Sequence, residues 1–182
     1  DLDQLGNWPN FTEDTDGNGT DDLDQDRSHN DANEITDIDT SSTHVAHDAV
    51  GNMTKVPQPA SWSAHYDLTW DAWNRLVKVA DAATTVSEYE YDGDNRRIVK
   101  KLYIGGSLDE TRHVYLSQGN QVLEERIDAS TDPDRQFTWG NRYVDDLVIR
   151  ARDTDANGSL DETLYALQDD NWNIPALADT SG

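Results

Sequence analysis

The sequence predicts an all-β fold of antiparallel β-hairpin repeats. The first observation is a phrase that recurs with drift: Asp or Asn, two variable residues, Gly or Asn, then a small polar or basic residue. It reads DQLGN from Asp3, NDANE from Asn30, DAVGN from Asp48, DAWNR from Asp71, DGDNR from Asp92 and, degraded, DDNWN from Asp169. The second observation is that residues typical of β-strands flank most copies of the phrase.

The phrase has the chemistry of a three-residue hairpin loop. Such a loop places two residues in the right-handed helical region and a third at positive φ, a conformation that Gly adopts readily and Asn tolerates. In DAVGN that third residue is Gly51, and in DAWNR it is Asn74. The leading Asp can accept hydrogen bonds from backbone N–H groups two residues on. Each copy therefore predicts a tight turn between two antiparallel strands.

The arms of the hairpins carry residues that suit a pleated, half-buried surface. Aromatic residues or His precede the turn at His29, His47, Trp70 and Tyr91. An apolar residue follows it at Ile35, Met53 and Leu76, and Arg97 is the exception. The stretch VYLSQGNQVLEER adds a further turn at SQGN. Aromatic residues at such positions are interpreted as cross-strand packing partners rather than as a sugar-binding surface.

The spacing of the phrase predicts one repeat array over residues 1–182. Successive copies from Asp3 to Asp92 begin 18 to 27 residues apart, and periods of about 20 to 50 residues are typical of stacked repeats that bury their apolar faces against neighbours. We expect repeats near residues 1–28, 29–46, 47–65, 66–86, 87–112 and 113–182. The chain begins at Asp1 without Met, so we expect a piece of a longer protein.

Composition predicts an ordered chain with a small aliphatic core. Leu, Ile, Val and Phe make up 34 of 182 residues, and the net charge is −23, which together approach the composition of disordered chains. The six Trp and seven Tyr residues favour order, because each can bury about 150 to 250 Å². We therefore expect order that depends on aromatic packing and on neighbouring repeats.

Charge and residue usage exclude several classes of partner. With 37 acidic and 14 basic residues, the chain lacks the cationic surface that nucleic acids and anionic membranes require. No apolar stretch is long enough to span a membrane, and the sequence has no Cys for a disulfide or a thiolate metal site. Cations are the partners that this composition favours.

Two loops share the spacing of calcium ligands. DTDGNGTDD and DTDANGSLD carry oxygen ligands at alternate positions and a Gly at the sixth, as calcium loops do. In the first loop the candidate ligands are Asp14, Asp16, Asn18, the Thr20 carbonyl and Asp22. In the second they are Asp153, Asp155, Asn157, the Ser159 carbonyl and Asp161. We expect calcium at these loops, and the apolar Leu160 at position eight favours the second.

An alternative interpretation is that Asp, Asn and Gly are simply common turn formers in an acidic chain. Position twelve is Gln25 in one loop and Leu164 in the other, whereas a helix-flanked calcium site has a bidentate Glu there. Any calcium site would therefore lie in a hairpin or another loop.

The sequence predicts no catalytic centre. The five His residues are scattered, and His44 and His47 would point to opposite faces of a strand. Neither a Gly-x-Ser-x-Gly elbow nor a phosphate-binding loop is present. Adjacent carboxylates such as Asp145 and Asp146 are interpreted as solvated charge. We expect a protein that is not an enzyme.

Several stretches resemble the YD-repeat or Rhs-repeat family, which includes bacterial Rhs toxins, the cocoon-forming subunits of insecticidal toxin complexes and the teneurin shell. The resemblance is carried by YDLTWDAWNRLVKV from Tyr66, YEYDGDNRRIVKK from Tyr89, HDAVGNMTKV from His47, and VYLSQGNQVLEER, WGNRYVDDLVIRARD and LYALQDDNWNIPALAD further on. It implies a twisted antiparallel ribbon that spirals into a hollow shell. Toxin-type members continue into a self-cleaving plug segment, but no protease residues can be carried over to this sequence.

The resemblance implies a structural or encapsulating role for this segment. Its expected partners are neighbouring repeats of the same chain, and either an encapsulated C-terminal toxin polypeptide or surface glycans. The expected location is secreted or at the cell surface. The alternative from another class is a calcium-dependent carbohydrate-binding or adhesion module.

Overall fold

A computed structural model describes residues 6–39, 42–58 and 61–180, without the side chains of residues 42, 61 and 62. Within these ranges the chain forms fifteen β-strands and one short 3₁₀ turn, Ser42–His44. The first copy of the turn phrase, from Asp3, lies largely outside the described residues. The all-β prediction is confirmed. The chain divides into two compact units, Asp1–Val86 and Ser87–Gly182.

The first unit begins with a three-stranded antiparallel sheet in the order β1, β2, β3. Its strands are β1 (Asn10–Glu13), β2 (Leu23–His29) and β3 (Ile35–Ile38). After the 3₁₀ turn come β4 (Ala46–His47), β5 (Met53–Gln58), β6 (Ser61–Trp70) and β7 (Leu76–Asp81). From β4 to β7, neighbouring strands form three antiparallel pairs. The unit is therefore a succession of hairpins.

The second unit continues the same pattern. β8 (Thr84–Tyr91) begins just before it, and β9 (Arg97–Ile104), β10 (Ser107–Leu116), β11 (Val122–Ile127), β12 (Arg135–Trp139), β13 (Leu147–Arg152), β14 (Glu162–Leu167) and β15 (Ala176–Ala178) follow. Every described pair is antiparallel. The strand order from β4 to β15 is chain order, so the sheet is an open series of hairpins. The expected repeat boundaries remain a prediction.

A β-bulge recurs at one position of the hairpin. The register shifts between Ser28/His29, Ala46/His47, Thr69/Trp70, Glu90/Tyr91, Tyr115/Leu116 and Thr138/Trp139. In the best-matched copy Trp70 faces Leu76 and Thr69 faces Lys78, which leaves Val77 as the extra residue. A bulge increases local twist, so the residue before each turn and the residue after it form one repeated structural unit.

The apolar core is small. Among the described residues, the buried hydrophobic side chains are Ile38, Val45 and Val99. Charged groups occupy the face of β10 to β12, where the Arg112 guanidinium donates to Glu125 at 2.8 Å and to Asp134 at 2.6 Å. Partial burial lowers the pKa of Arg112, but these carboxylates outweigh it and raise the pKa. Cross-strand pairs and turns therefore carry much of the stabilisation that a core supplies elsewhere.

Ala82 in the loop between β7 and β8 has a φ of 50°, a conformation that costs an L-residue roughly 1–2 kcal/mol. We expect Ala82→Gly to raise the free energy of unfolding by about 0.5–1 kcal/mol, because Gly relieves this strain and offsets only part of it through unfolded-state entropy. Ala83→Gly is the matched control, since Ala83 is not at positive φ, and it should destabilise. Urea unfolding of both variants measures the difference. If both variants changed the free energy of unfolding by the same amount and in the same direction, the prediction would be contradicted.

Candidate functional site

The recurring turns carry the most regular chemistry of the chain. Their fourth residue has a positive φ throughout the described copies: Asn33 63°, Gly51 91°, Asn74 60°, Asn95 64°, Asn120 66° and Trp172 64°. The backbone also closes alike in each copy, as in the turn from Asp71, where Asp71 N–H donates to Arg75 O at 3.0 Å and Asn74 N–H to Asp71 O at 3.1 Å. The predicted turn geometry is confirmed.

The side chain of each leading residue accepts hydrogen bonds from two backbone N–H groups of its own turn. Asp92 Oδ1 accepts the N–H groups of Asp94 at 2.9 Å and Arg96 at 3.0 Å, and Asp48 Oδ1 accepts those of Val50 and Asn52. Asn30, Ser117 and Asp169 accept from the same two positions. The Asp that closes the turn was predicted; its second bond, to the fifth residue, was not.

The side chain of the fifth residue binds the leading carboxylate. Arg96 Nε donates to Asp92 Oδ2 at 2.7 Å, and Asn52 Nδ2 donates to Asp48 Oδ2 at 2.9 Å. The Arg96 side chain, followed by its backbone N–H, lowers the pKa of Asp92. The Asn52 side chain does the same to the pKa of Asp48. These carboxylates are thus held in the ionised form.

The fifth residue also reaches the next turn. Asn7 Nδ2 donates to Asn33 Oδ1 at 3.2 Å, Asn52 Nδ2 to Asn74 Oδ1 at 2.9 Å, and Arg96 Nη1 to Asn120 Oδ1 at 3.2 Å. In each case the donor is position five of one turn and the acceptor is position four of the following turn. Asn at position four therefore has two roles, adopting positive φ and accepting a bond from its neighbour. We call these contacts the turn ladder.

Two Trp residues that precede turns make a second link between neighbouring hairpins. Trp70 Nε1 donates to Met53 O at 2.7 Å, and Trp139 Nε1 donates to Val122 O, also at 2.7 Å. Both acceptors are the first strand residue after the preceding turn. Both indoles are half-buried, in agreement with their interpretation as packing residues.

The last two turns differ from the phrase in sequence, but they still contact each other. Trp172 holds the positive-φ position and stacks on Tyr143 of the preceding loop, with ring centroids 5.4 Å apart. In that loop the buried Asp146 binds Arg142 through Nε at 2.9 Å, and the Arg142 guanidinium lies 4.9 Å from the Trp172 ring centroid. The Arg142 side chain lowers the pKa of Asp146. Aromatic and cationic contacts here replace the Asn-to-Asn bond.

Both predicted calcium loops connect antiparallel strands. The first joins β1 to β2, where Glu13 faces Leu23, and the second joins β13 to β14, where Arg152 faces Glu162. Most of their internal hydrogen bonds match by position. The first carboxylate accepts the N–H groups of residues five and six, and the ninth accepts the N–H and hydroxyl of Thr at position two. The two sequences therefore fold into one kind of acidic hairpin loop.

The first loop brings three carboxylates together. One oxygen each of Asp14, Asp16 and Asp22 lies within 4.8 Å of the others, so this exposed cluster can hold a metal ion. Asn18 Oδ1 accepts the N–H of Thr20 at 2.8 Å. The N–H of Gly19, ahead of those of Gly17 and Asn18, lowers the pKa of Asp14. The loop therefore presents ionised oxygens, the ligands that hard cations prefer.

The second loop differs from the first in the burial and grouping of its carboxylates. Asp153 is buried and accepts N–H groups of Asn157 at 3.2 Å and Gly158 at 2.8 Å. Burial raises the pKa of Asp153, but these donors outweigh it and lower the pKa. Across the described residues, the grouping of three carboxylates occurs at the first loop and not around Asp155 and Asp161. The geometry thus favours the first loop, although Leu160 favours the second.

Comparison with known families agrees with the turn geometry. The family model of the RHS repeat matches residues 70–107. The chain contains an RHS repeat. The matched span runs from Trp70 through two consecutive ladder turns to the start of β10, and it confirms the resemblance to the Rhs-repeat family. No curated protein matches the chain.

Within residues 70–107, the RHS repeat accounts for the turn phrases from Asp71 and Asp92. In both turns the leading Asp binds the guanidinium at position five, and the Asn at position four has a positive φ. In the part of the chain that the structure describes, no helix is both long and apolar enough to cross a membrane.

Acid should unfold the recurring turns. Hydrogen bonds from the side chain of Asn173 and the N–H of Asn171 hold the pKa of Asp169 below the ordinary 3.8, and other turn Asp residues are lowered too. Because the unfolded chain binds protons more readily, this stabilisation is complete above the unfolded pKa and is lost as pH falls through the folded one. Urea unfolding at stepped pH should show the free energy of unfolding falling below about pH 4.

The matched variants for this prediction are Asp169→Asn and its exposed neighbour Asp170→Asn. Only Asp169→Asn should make the fall in stability with pH shallower. A free energy of unfolding that stays constant from about pH 5 to about pH 2 would contradict the prediction.

Proposed function

We propose that this chain is a segment of wall, a structural part of a shell or surface scaffold whose hairpins hold one another in place. The observation that carries the proposal is the turn ladder, in which position five of one turn binds position four of the next. A chain with few buried apolar side chains gains order by such nearest-neighbour contacts, as repeat proteins do. The partners of each hairpin are its neighbouring repeats.

We further propose that the complete shell encloses a polypeptide cargo of the toxin type and acts outside the cell, either secreted or at the cell surface. The proposal is supported by the resemblance of the sequence to shell-forming members of the family. The exposed acidic loop fits such a location, because calcium sites of extracellular modules bind at about 10⁻⁴–10⁻³ M.

The wall role predicts that added repeats stabilise the chain. β15 (Ala176–Ala178) pairs with β14 at one end of the strand order. Supplying one further hairpin beyond it should raise both the urea midpoint and the dependence of stability on urea, because more surface becomes buried. An independent carbohydrate-binding or adhesion module would instead keep its stability on extension and bind immobilised glycans when calcium is present. That pair of results would overturn the proposal.

Calcium bound at the first loop is the proposed stiffening element. Asp14, Asp16 and Asp22 supply the carboxylates, and the Asn18 side chain and the Thr20 carbonyl are the further oxygens of the same loop. Binding only to the folded state stabilises the chain by about 2.7 kcal/mol at a hundredfold excess over the dissociation constant. Thermal melts with calcium and with EDTA should therefore differ.

Three variants show which of the two acidic loops causes the rise in melting temperature with calcium. Asp16→Asn should abolish the rise in melting temperature with calcium, whereas Asp21→Asn, beside the cluster, should preserve it. Asp155→Asn tests the second loop and should also preserve it. A calcium response that survives in Asp16→Asn and disappears in Asp155→Asn would transfer the site to the second loop. Equal melting temperatures with calcium and EDTA in the unmodified chain would end the calcium proposal.

A further inference from the structure

Two imidazole rings of the first unit contact each other through a nitrogen atom of each ring. His44 ends the 3₁₀ turn and His65 lies within β6, and their Nδ1 atoms are 2.9 Å apart. Both side chains are partly buried, and the ring centroids are 5.1 Å apart. The two residues are 21 positions apart in the sequence. The fold of the first unit brings them into contact.

A carboxylate lies on the far side of the His65 ring. His65 Nε2 lies 3.4 Å from Asp67 Oδ1, and the two residues share one face of β6 because they are two apart on a strand. With its proton on Nε2, on the side of this carboxylate, His65 keeps a lone pair on Nδ1, the atom that faces His44. Histidines that bind metals commonly have a carboxylate at the second ring nitrogen.

A cavity of about 220 Å³ adjoins the pair. It is lined by His44, Ser63, Ala64, His65, Asp81 and Ala82. A water molecule takes about 30 Å³ of liquid volume, so the cavity has room for an ion and its remaining ligands. Asp81 is the acidic residue of the lining.

We propose that His44 and His65 bind a divalent transition-metal ion, with Zn²⁺ as the representative, through their Nδ1 atoms. Imidazole suits Zn²⁺, Cu²⁺ and Ni²⁺, whereas Ca²⁺ takes oxygen ligands. Zn–N bonds of about 2.0–2.1 Å in a tetrahedral site separate the two nitrogens by about 3.3 Å. The imidazoles therefore need to open by only about 0.4 Å. Water completes the coordination, and the ion links the 3₁₀ segment to β6.

Calorimetric titration of the full chain with ZnCl₂, in excess calcium to occupy the acidic loops, tests the site. The unmodified chain should bind one equivalent that His44→Gln and His65→Gln each abolish. His113→Gln, which removes a His of the second unit, should leave it intact. Asp67→Asn should weaken binding about 10- to 100-fold, as loss of an orienting carboxylate does at other metal sites.

Electron paramagnetic resonance of the Cu²⁺ form identifies the ligands independently of any variant. Its spectrum should show coupling to two imidazole nitrogens. Circular dichroism of each variant should match that of the unmodified chain. The proposal is overturned if the unmodified chain takes up no zinc, if a folded His44→Gln/His65→Gln double variant binds it with unchanged affinity, or if the copper spectrum shows oxygen ligands alone.

Discussion

Gly140→Ala should destabilise the chain by about 3 kcal/mol or more. A Cβ at Gly140 would lie 2.5 Å from Cγ of Asp146, and closer still to Oδ2 of that carboxylate. Asp146 cannot readily withdraw, because it is buried, binds Arg142, and accepts the Gly140 N–H through its backbone oxygen at 2.7 Å. The added methyl group must therefore break the loop between β12 and β13. Urea unfolding followed by Trp fluorescence measures the loss.

The matched control is Gly119→Ala in the preceding turn. A Cβ there would lie 3.6 Å from Ser117 Oγ, an ordinary van der Waals contact, and neither Gly119 nor Gly140 has a positive φ. Gly119→Ala should change stability by less than about 1 kcal/mol. Equal losses in the two variants would show that the Asp146 loop is not the tightly packed element described above.

Trp70→Ala should cost about 2–3 kcal/mol, somewhat below the value for a fully buried Trp because Trp70 is only half-buried. The variant removes both the packing against β5 and the hydrogen bond to Met53 O. Trp70→Phe separates the two effects: it keeps most of the apolar surface and should cost about 1 kcal/mol for the lost bond. Equilibrium unfolding in urea of both variants gives the comparison.

Trp73, three positions further on, is the control for Trp70. Its side chain is 71% exposed and contacts the Arg75 guanidinium at 5.2 Å from the ring centroid. An exposed contact of this kind contributes about 0.5–1 kcal/mol, so Trp73→Ala should have a small effect. A larger loss at Trp73 than at Trp70 would contradict the assignment of Trp70 as the residue that links neighbouring hairpins.

Local chemistry could be predicted from the sequence because it depends on residues close together in the chain. The turn at Asp71, the positive φ of Asn74 and the apolar residue at Leu76 all follow from side-chain and backbone preferences over a few positions. The all-β class follows in turn, since a phrase that recurs as a hairpin turn leaves only strands between its copies.

The turn ladder could not be predicted in the same way. The contact from Asn52 to Asn74 joins turns that lie two strands apart, about 10 Å in a sheet. Whether position five reaches that far depends on the register of the intervening strands β5 and β6, in which Lys55 faces Asp67 and Val56 faces Tyr66. The signal was present as the recurrent amide or guanidinium at position five, but it was interpreted only as a small polar or basic residue.

The candidate site shows the same division between local and long-range information. Spacing placed Asp14, Asp16 and Asp22 in one loop, and the structure brings their carboxylates together. Spacing could not rank the two loops, because the burial of Asp153 depends on packing beyond the loop itself. The His44–His65 pair was also missed, since the comparison of His44 with His47 considered only neighbours in the sequence.

The dependence of each hairpin on the next is tested most directly by amide hydrogen exchange in Asn52→Ala, compared with Val50→Ala in the same turn. Val50 is 71% exposed, so its variant should exchange like the unmodified chain. Asn52→Ala should lose protection both in its own turn and in the hairpin of β6 and β7, because the bond to Asn74 is removed. Loss confined to residues 48–52, with β6 and β7 as protected as before, would contradict the account.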